Sequence, residues 1–242
     1  MQSRLYEVGW KFIDLVIPPR CGGCKRWGTR WCESCQNQVQ IIGAGSCPRC
    51  GDPNWDGVKT MCGRCRGTRL YYERLSSWVS YKGPIREAVH ELKYRHNVGL
   101  GEILAKHLVE LVESLSWDVD FIVPVPLGSK RLQERGYNQV MLLARPIAWE
   151  LDIPLKRKAL TRTRETRSQV GLSREQRITN VQNAFTAKEH DINGKRILLV
   201  DDVVTTGATI NACAKALKEA GVKKVFAATL ARAVQPNSRD VN

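Results

Sequence analysis

A chain of 242 residues with 43% hydrophobic content is long enough for one large core, or for one core and a small satellite. It has no run of 18 apolar residues, and Glu7, Lys11 and Asp14 interrupt the apolar pattern from Leu5 to Ile17. This argues against a membrane span or a secretion signal and predicts a cytoplasmic protein. The formal net charge of +14 favours an anionic ligand, either a polyanionic small molecule or nucleic acid. That charge is uneven: residues 121–190 hold 13 basic and 6 acidic side chains, whereas 71–120 hold 6 and 8.

In chain order, residues 1–20 read as an N-terminal amphipathic helix. Ser3 is its N-cap, Leu5, Val8, Phe12, Leu15 and Val16 recur at helical spacing, and Pro18-Pro19 stops it. Residues 21–70 are rich in cysteine, glycine and arginine and have little periodicity, as expected of a module built on metal. Residues 71–236 alternate strands with helices. The strand candidates are Ser77–Tyr81, Phe121–Val125, Ile197–Val200 and Lys224–Leu230, and helix candidates start at Pro84, Leu100, Tyr137, Ser173 and Gly207. This order predicts an α/β fold with a mostly parallel sheet and flanking helices. The last residues, 237–242, read as a disordered tail.

Eight of the nine cysteines form four C-x-x-C pairs: Cys21/Cys24, Cys32/Cys35, Cys47/Cys50 and Cys62/Cys65. A two-residue gap lets both thiolates of a pair face one metal, and two pairs complete a tetrahedral zinc site. Two structural zinc ions are expected, with sequential pairing assumed and interleaved pairing as the alternative. Gly22, Gly23, Gly51 and Gly63 are expected to help the chain turn. The region also carries Arg20, Lys25, Arg26, Arg30, Arg49, Arg64, Arg66 and Arg69 among Trp27, Trp31 and Trp55, a composition that suits stacking on nucleic-acid bases as well as packing between domains. Cys213 reads as a buried apolar cysteine on a helix. His90 and His96 read as sharing a helix without ligand spacing.

Ile197 to Thr209 read I-L-L-V-D-D-V-V-T-T-G-A-T. A short apolar strand leads into two carboxylates, then a turn of hydroxyl residues and glycine, then a helix. Open α/β sheets bind ligands at that edge, and a helix N-terminus offers unpaired N–H groups to a phosphate. Carboxylates accept bonds from sugar hydroxyls or contact Mg²⁺. The chemistry at hand is therefore that of a ribose 5-phosphate. Thr205, Thr206, Gly207, Ala208 and Thr209 would hold the phosphate, and Asp201 and Asp202 the ribose, as catalytic candidates, with Val203 between them as a further substrate-binding candidate. Lys130, Arg131 and Arg135 follow the strand Phe121–Val125 and can grip a pyrophosphate. Residues 156–177, with eight basic and two acidic side chains, suit plain disorder as well as a mobile lid by composition.

The stretch Ile197 to Thr209 resembles the phosphoribosyl-pyrophosphate motif of type I phosphoribosyltransferases. Val123-Pro124-Val125-Pro126-Leu127, Lys130-Arg131, Arg135-Gly136-Tyr137-Asn138-Gln139, Gln169 through Leu172, Glu175-Gln176-Arg177, Asn180-Val181 and Ala184-Phe185 are together similar to the ComF family. The resemblance implies a double zinc ribbon ahead of a type I phosphoribosyltransferase-like domain, with residues 156–177 as the lid. It also implies phosphoribosyl pyrophosphate with Mg²⁺ as ligand, transfer of phosphoribosyl to an unidentified acceptor, and a link to DNA uptake and natural transformation. The alternative it leaves is a non-catalytic module that senses the sugar phosphate and binds single-stranded DNA or competence and recombination proteins.

Overall fold

Strands that read as unbroken apolar runs belong in a sheet covered on both faces, and the computed structural model of the chain contains one. It describes residues 18–234 except 44, 56, 58, 59, 165–173, 182 and 189–191. The expected helix from Ser3 to Ile17, the tail and the centre of the expected lid lie outside the described residues. Strands β1 (Arg74–Ser80), β2 (Phe121–Pro124), β5 (Arg196–Val204) and β6 (Lys224–Arg232) form a sheet in the order β1-β6-β5-β2. Every neighbouring pair in it is parallel. Strands β3 (Leu160–Arg162) and β4 (Phe185–Ala187) pair antiparallel beside it.

Successive side chains along a strand point to opposite faces, so each run feeds two cores. Ile122, Leu198, Val200, Phe226, Ala228 and Leu230 pack on one side with helices α3 (Pro84–Tyr94), α4 (Val98–Ser114) and α6 (Gln139–Glu150). Val123, Ile197, Leu199, Val225 and Ala227 pack on the other with α8 (Ala208–Glu219) and the β3–β4 pair. Pro84 begins α3, where its missing N–H costs nothing.

Four expectations are corrected. β5 does not stop at Val200. It runs through both carboxylates, because Asp201 and Val203 continue the ladder with Thr229 and Ala231 of β6. The segment after β2 is not a plain loop but contains the short helix α5 (Ser129–Arg135), closed by Gly136 in the left-handed region at φ 71°. The β3–β4 pair carries no strand signal in the sequence, and β3 falls inside the segment expected as a lid, whereas α7 (Arg174–Val181) matches the helix expected from Ser173. His90 and His96 share no helix, since α3 ends at Tyr94 and His96 adopts φ 54°.

The two cysteine segments are docked on this frame. In the first, Cys21, Trp31 and Cys35 belong to the same core as Leu100 and Leu104 of α4. Gly22 and Gly23 lie, as expected, in a turn, closed by Lys25 N donating to Cys21 O at 2.9 Å, and they also allow close approach. A Cβ on Gly22 would sit 2.3 Å from Leu100 Cδ2, and one on Gly23 2.8 Å from Pro84 Cβ. In the second, Gly51 takes φ +67° against the backbone of Leu75, and the buried Arg232 guanidinium donates to the Cys50 carbonyl. Between them, residues 40–42 run along the outer edge of β1, with Ile42 N donating to Trp78 O (2.9 Å) and Ser80 N to Gln40 O (2.8 Å). Covering an edge in this way blocks strand addition.

Candidate sugar-phosphate cleft and metal centres

Each cysteine segment folds so that a knuckle and a helical turn, α1 (Glu33–Gln38) or α2 (Gly63–Arg66), face each other. The sulfurs of Cys21, Cys24, Cys32 and Cys35 lie within 4.8 Å of one another, and so do those of Cys47, Cys50, Cys62 and Cys65. Pairing is therefore sequential. Sulfur separations of 3.6 Å for Cys21–Cys35 and Cys24–Cys32, and 3.7 Å for Cys50–Cys62, match the roughly 3.8 Å edge of a tetrahedron with Zn–S bonds of about 2.3 Å. Backbone N–H groups of Cys32 and Cys62 point at Cys21 and Cys47 Sγ, at 3.4 and 3.3 Å, as donors to thiolates. The residues fit two structural zinc ions, with no ligand position left for catalysis.

The strand ends build a second centre. A cleft of about 520 Å³ opens where β2 and β5 end, lined by residues of α3, α5 and the loop into α8. The loop Thr205-Thr206-Gly207 turns the chain from β5 into the helix. Gly207 does this at φ 80°, a region that L side chains rarely adopt, and its carbonyl accepts the helical bond from Asn211 N at 2.9 Å. Thr206 Oγ1 accepts from Ala208 N at 3.3 Å. Amide groups at the start of α8 thus face a dipole-favoured anion position.

Strand alternation sends the two carboxylates to opposite sides. Asp202 follows Leu198 and Val200 towards α3 and α6. It is 4% exposed and bonded to Lys93 Nζ at 2.9 Å and Gln139 Nε2 at 2.7 Å. Its other oxygen accepts from Val203 N at 2.6 Å. Burial works against the Lys93 ammonium, but the Asp202 charge outweighs it and raises the lysine pKa. Asp201 follows Ile197 and Leu199 towards α8. Burial, and then the charge of Asp202, lift its pKa from 3.8 to about 8. A carboxyl so perturbed inside a cleft is a candidate functional position.

Of the expected site residues, Asp201, Asp202, Val203, Thr205, Gly207, Ala208, Thr209, Arg131 and Arg135 line this cleft. Lys130 is exposed outside the lining, and Thr206 lines a second cavity behind the loop. The reading from sequence missed Lys93, Gln139, Tyr94 and Arg162, which also line the cleft. Arg135 donates to Gln139 Oε1 at 3.0 Å and lies over the Tyr94 ring at 4.9 Å. A continuous polar chain therefore runs from Arg135 through Gln139 to Asp202 and Lys93. The Arg-Gly-Tyr-Asn-Gln run positions it: Gly136 ends α5, Tyr137 donates to the Leu92 carbonyl, and Asn138 caps α6 while bonding Val125 O at 3.0 Å. Among the described residues, the two cysteine quartets are the only clusters of three or more metal-capable side chains. Cys213 is fully buried on α8, and His107 stacks on Trp78 at 4.1 Å. No helix among the described residues is long and apolar enough to cross a membrane.

Of the aromatics in the cysteine region, Trp31 is buried with its indole N–H on Gln36 at 2.7 Å. Trp27 is 59% exposed, with the Arg20 guanidinium 3.9 Å from its ring centroid. Arg49 and Arg64 are paired internally with Glu73 and Asp52.

Comparison with known proteins follows this division of the chain. Residues 96–241 match the family described as phosphoribosyl transferase domain, and 12–66 match the double zinc ribbon domain. A protein of Salmonella typhi named DNA utilization protein YhgH is 34% identical over 87% of this chain and 96% of its own length. Competence protein F of Haemophilus influenzae is 31% identical over 84% and 90%. Competence protein ComFC of Bacillus subtilis is 27% identical over 89% and 85%.

Proposed function

The chain belongs to the ComF family, a double zinc ribbon ahead of a type I phosphoribosyltransferase fold, and on that premise we propose that it binds phosphoribosyl pyrophosphate with Mg²⁺ and transfers the phosphoribosyl group to a nitrogen acceptor, in the service of DNA uptake or use. The observation that carries this is one cleft with a helix-start phosphate loop, an acid pair and an arginine helix arranged around it. Thr205, Thr209 and the amides of the loop take the 5-phosphate. Asp201, the less constrained acid, bonds the ribose hydroxyls and, once deprotonated, stands near the positive charge that develops as the bond from C1 to pyrophosphate breaks. Asp202 cannot do the same freely, because Lys93, Gln139 and Val203 N already occupy its oxygens. It positions Gln139 and, through it, Arg135. Arg131 and Arg135 face the departing pyrophosphate. With few protein oxygens at hand, Mg²⁺ fits as a companion of the substrate phosphates, where it would neutralise leaving-group charge.

Calorimetric titration of phosphoribosyl pyrophosphate with Mg²⁺ into the zinc-loaded chain tests the proposal. Binding by the parent, weakened at least about tenfold in Asp201→Asn, is the expected result. Unchanged affinity in the folded variant removes Asp201 from the site. A silent titration with the parent moves weight to a second reading, single-strand DNA binding on the first ribbon, which exposed Trp27 under Arg20 favours. That binding would weaken steeply with salt and ignore Asp201.

A further inference from the structure

Behind the phosphate loop lies a second, half-open cavity of about 250 Å³, bordered by the second ribbon, the segment entering β1, β4 and α8. Gly207 and Ala208 line both this cavity and the cleft, so the loop is a shared wall. Most of its polar groups are already spent. Asn211 accepts from Tyr71 N at 2.8 Å and donates to Arg69 O at 3.0 Å. Arg64 is held by Asp52 and by Cys50 Sγ, at 3.3 and 3.1 Å, and Lys215 by Asn183 and Glu219, at 3.4 and 3.6 Å. Little uncompensated positive charge is left for a phosphate.

Tyr72 is different. Its side chain is buried, with 2% of the residue exposed, and its hydroxyl lies 3.7 Å from where a Cβ on Gly207 would stand. No hydrogen bond to that hydroxyl is formed among the described residues. It lines the cavity, whose other walls include Leu70, Tyr71, Phe185 and Ala212 beside the polar Thr68, Asn183 and Thr206. Aromatic and aliphatic walls with one free donor-acceptor suit a flat molecule that has a polar edge. The volume is below the roughly 300 Å³ at which pockets for drug-sized ligands begin.

We propose that this cavity binds a neutral aromatic heterocycle of nucleobase or nucleoside size, hydrogen-bonded to the Tyr72 hydroxyl. The ligand would not be the acceptor of the transfer. It lies behind the loop that holds the 5-phosphate, whereas the ribose C1 belongs on the Asp201 side. It would instead brace Gly207 and Ala208 from the rear and so tune the affinity of the loop for phosphate. That coupling rests on the proposed function of the cleft, while binding in the cavity does not.

The test is saturation-transfer NMR and calorimetry with adenine, uracil, adenosine and uridine on the full zinc-loaded chain. The companions are Tyr72→Phe, which deletes the hydroxyl, and Ala212→Leu, which fills the space from the α8 side. At least one probe is expected to bind the parent, about two- to tenfold more weakly to Tyr72→Phe, undetectably to Ala212→Leu and unchanged to Asp201→Asn, with thermal melting confirming that each variant is folded. Absence of binding to the parent, indifference to both cavity variants, or displacement by ribose 5-phosphate in simple competition would each overturn the proposal. Heterocycle binding in a protein that ignores phosphoribosyl pyrophosphate would sustain it and refute the reading of the cleft.

Discussion

Asp201 and Asp202 are adjacent in sequence and unlike in circumstance. Asp202 is the buried anchor of a charged network, so Asp202→Asn leaves the Lys93 ammonium facing a neutral amide. The expected loss is about 2–3 kcal/mol, read from chemical denaturation, and the Lys93→Met/Asp202→Asn pair should cost less than the sum of the single changes. Asp201 gives a pH signature. Its folded pKa of about 8 lies above the ordinary 3.8, so between those values the folded state holds a proton that the unfolded state has released. Stability from this group is greatest below about pH 4, falls as pH rises to about 8, and is level above. Melting curves of ligand-free Asp201→Asn across that range should lack this part of the slope. The motif itself was legible, since hydroxyls, glycine and acids in that order have few other uses. Lys93 and Gln139 were not, because each comes from a distant helix that only the sheet brings to the acids.

Among elements, the turn from β5 to α8 depends on one backbone conformation. Gly207 sits at φ 80°, and a Cβ there would meet the Tyr72 hydroxyl at 3.7 Å, an ordinary contact, so Gly207→Ala meets strain rather than collision. The expected cost is about 1 kcal/mol in stability, with a larger proportional loss of phosphate affinity, measured as calorimetric Kd. A loss of stability without one of affinity would mean that the loop tolerates distortion. Strand and helix types followed from apolar runs and from signals such as Pro84 at a first helical position. The residues of α5, Ser-Lys-Arg-Leu-Gln-Glu-Arg, are mostly good helix formers ended by glycine, but their charge drew attention to ligand binding and away from propensity. Strands of three residues, such as β3 and β4, are too short for alternation to emerge, and β5 outlasts its apolar run because pairing with β6 carries the backbone onward.

For the whole molecule, the metal centres are part of the main structure rather than beads on a string. Cys21 and Cys35 share a core with α4, and Arg232 of β6 donates to Cys50 O. Elemental analysis should give two zinc ions per chain. Chelation is expected to lower the melting temperature of the sheet itself by about 10 °C or more, followed by the circular dichroism of the helices. Melting of the sheet at an unchanged temperature would show the ribbons to be energetically separate. The C-x-x-C spacing announced the metal. What it left unannounced was how closely the ribbons are seated, which appears only when Gly22 meets Leu100.

The sheet order carries a last consequence. β1 takes its place only beside β6, and the hydroxyls of Ser77 and Thr229, 152 residues apart, meet at 2.7 Å across that seam. During synthesis the first strand leaves the ribosome long before β6 exists, and its edge on that side stays unpaired while the remaining elements are made, although residues 40–42 and α4 can already reach it. Non-local pairing of this kind is slow and exposed to aggregation. A ribosome stalled before Lys224 therefore holds a chain that cannot close its own sheet.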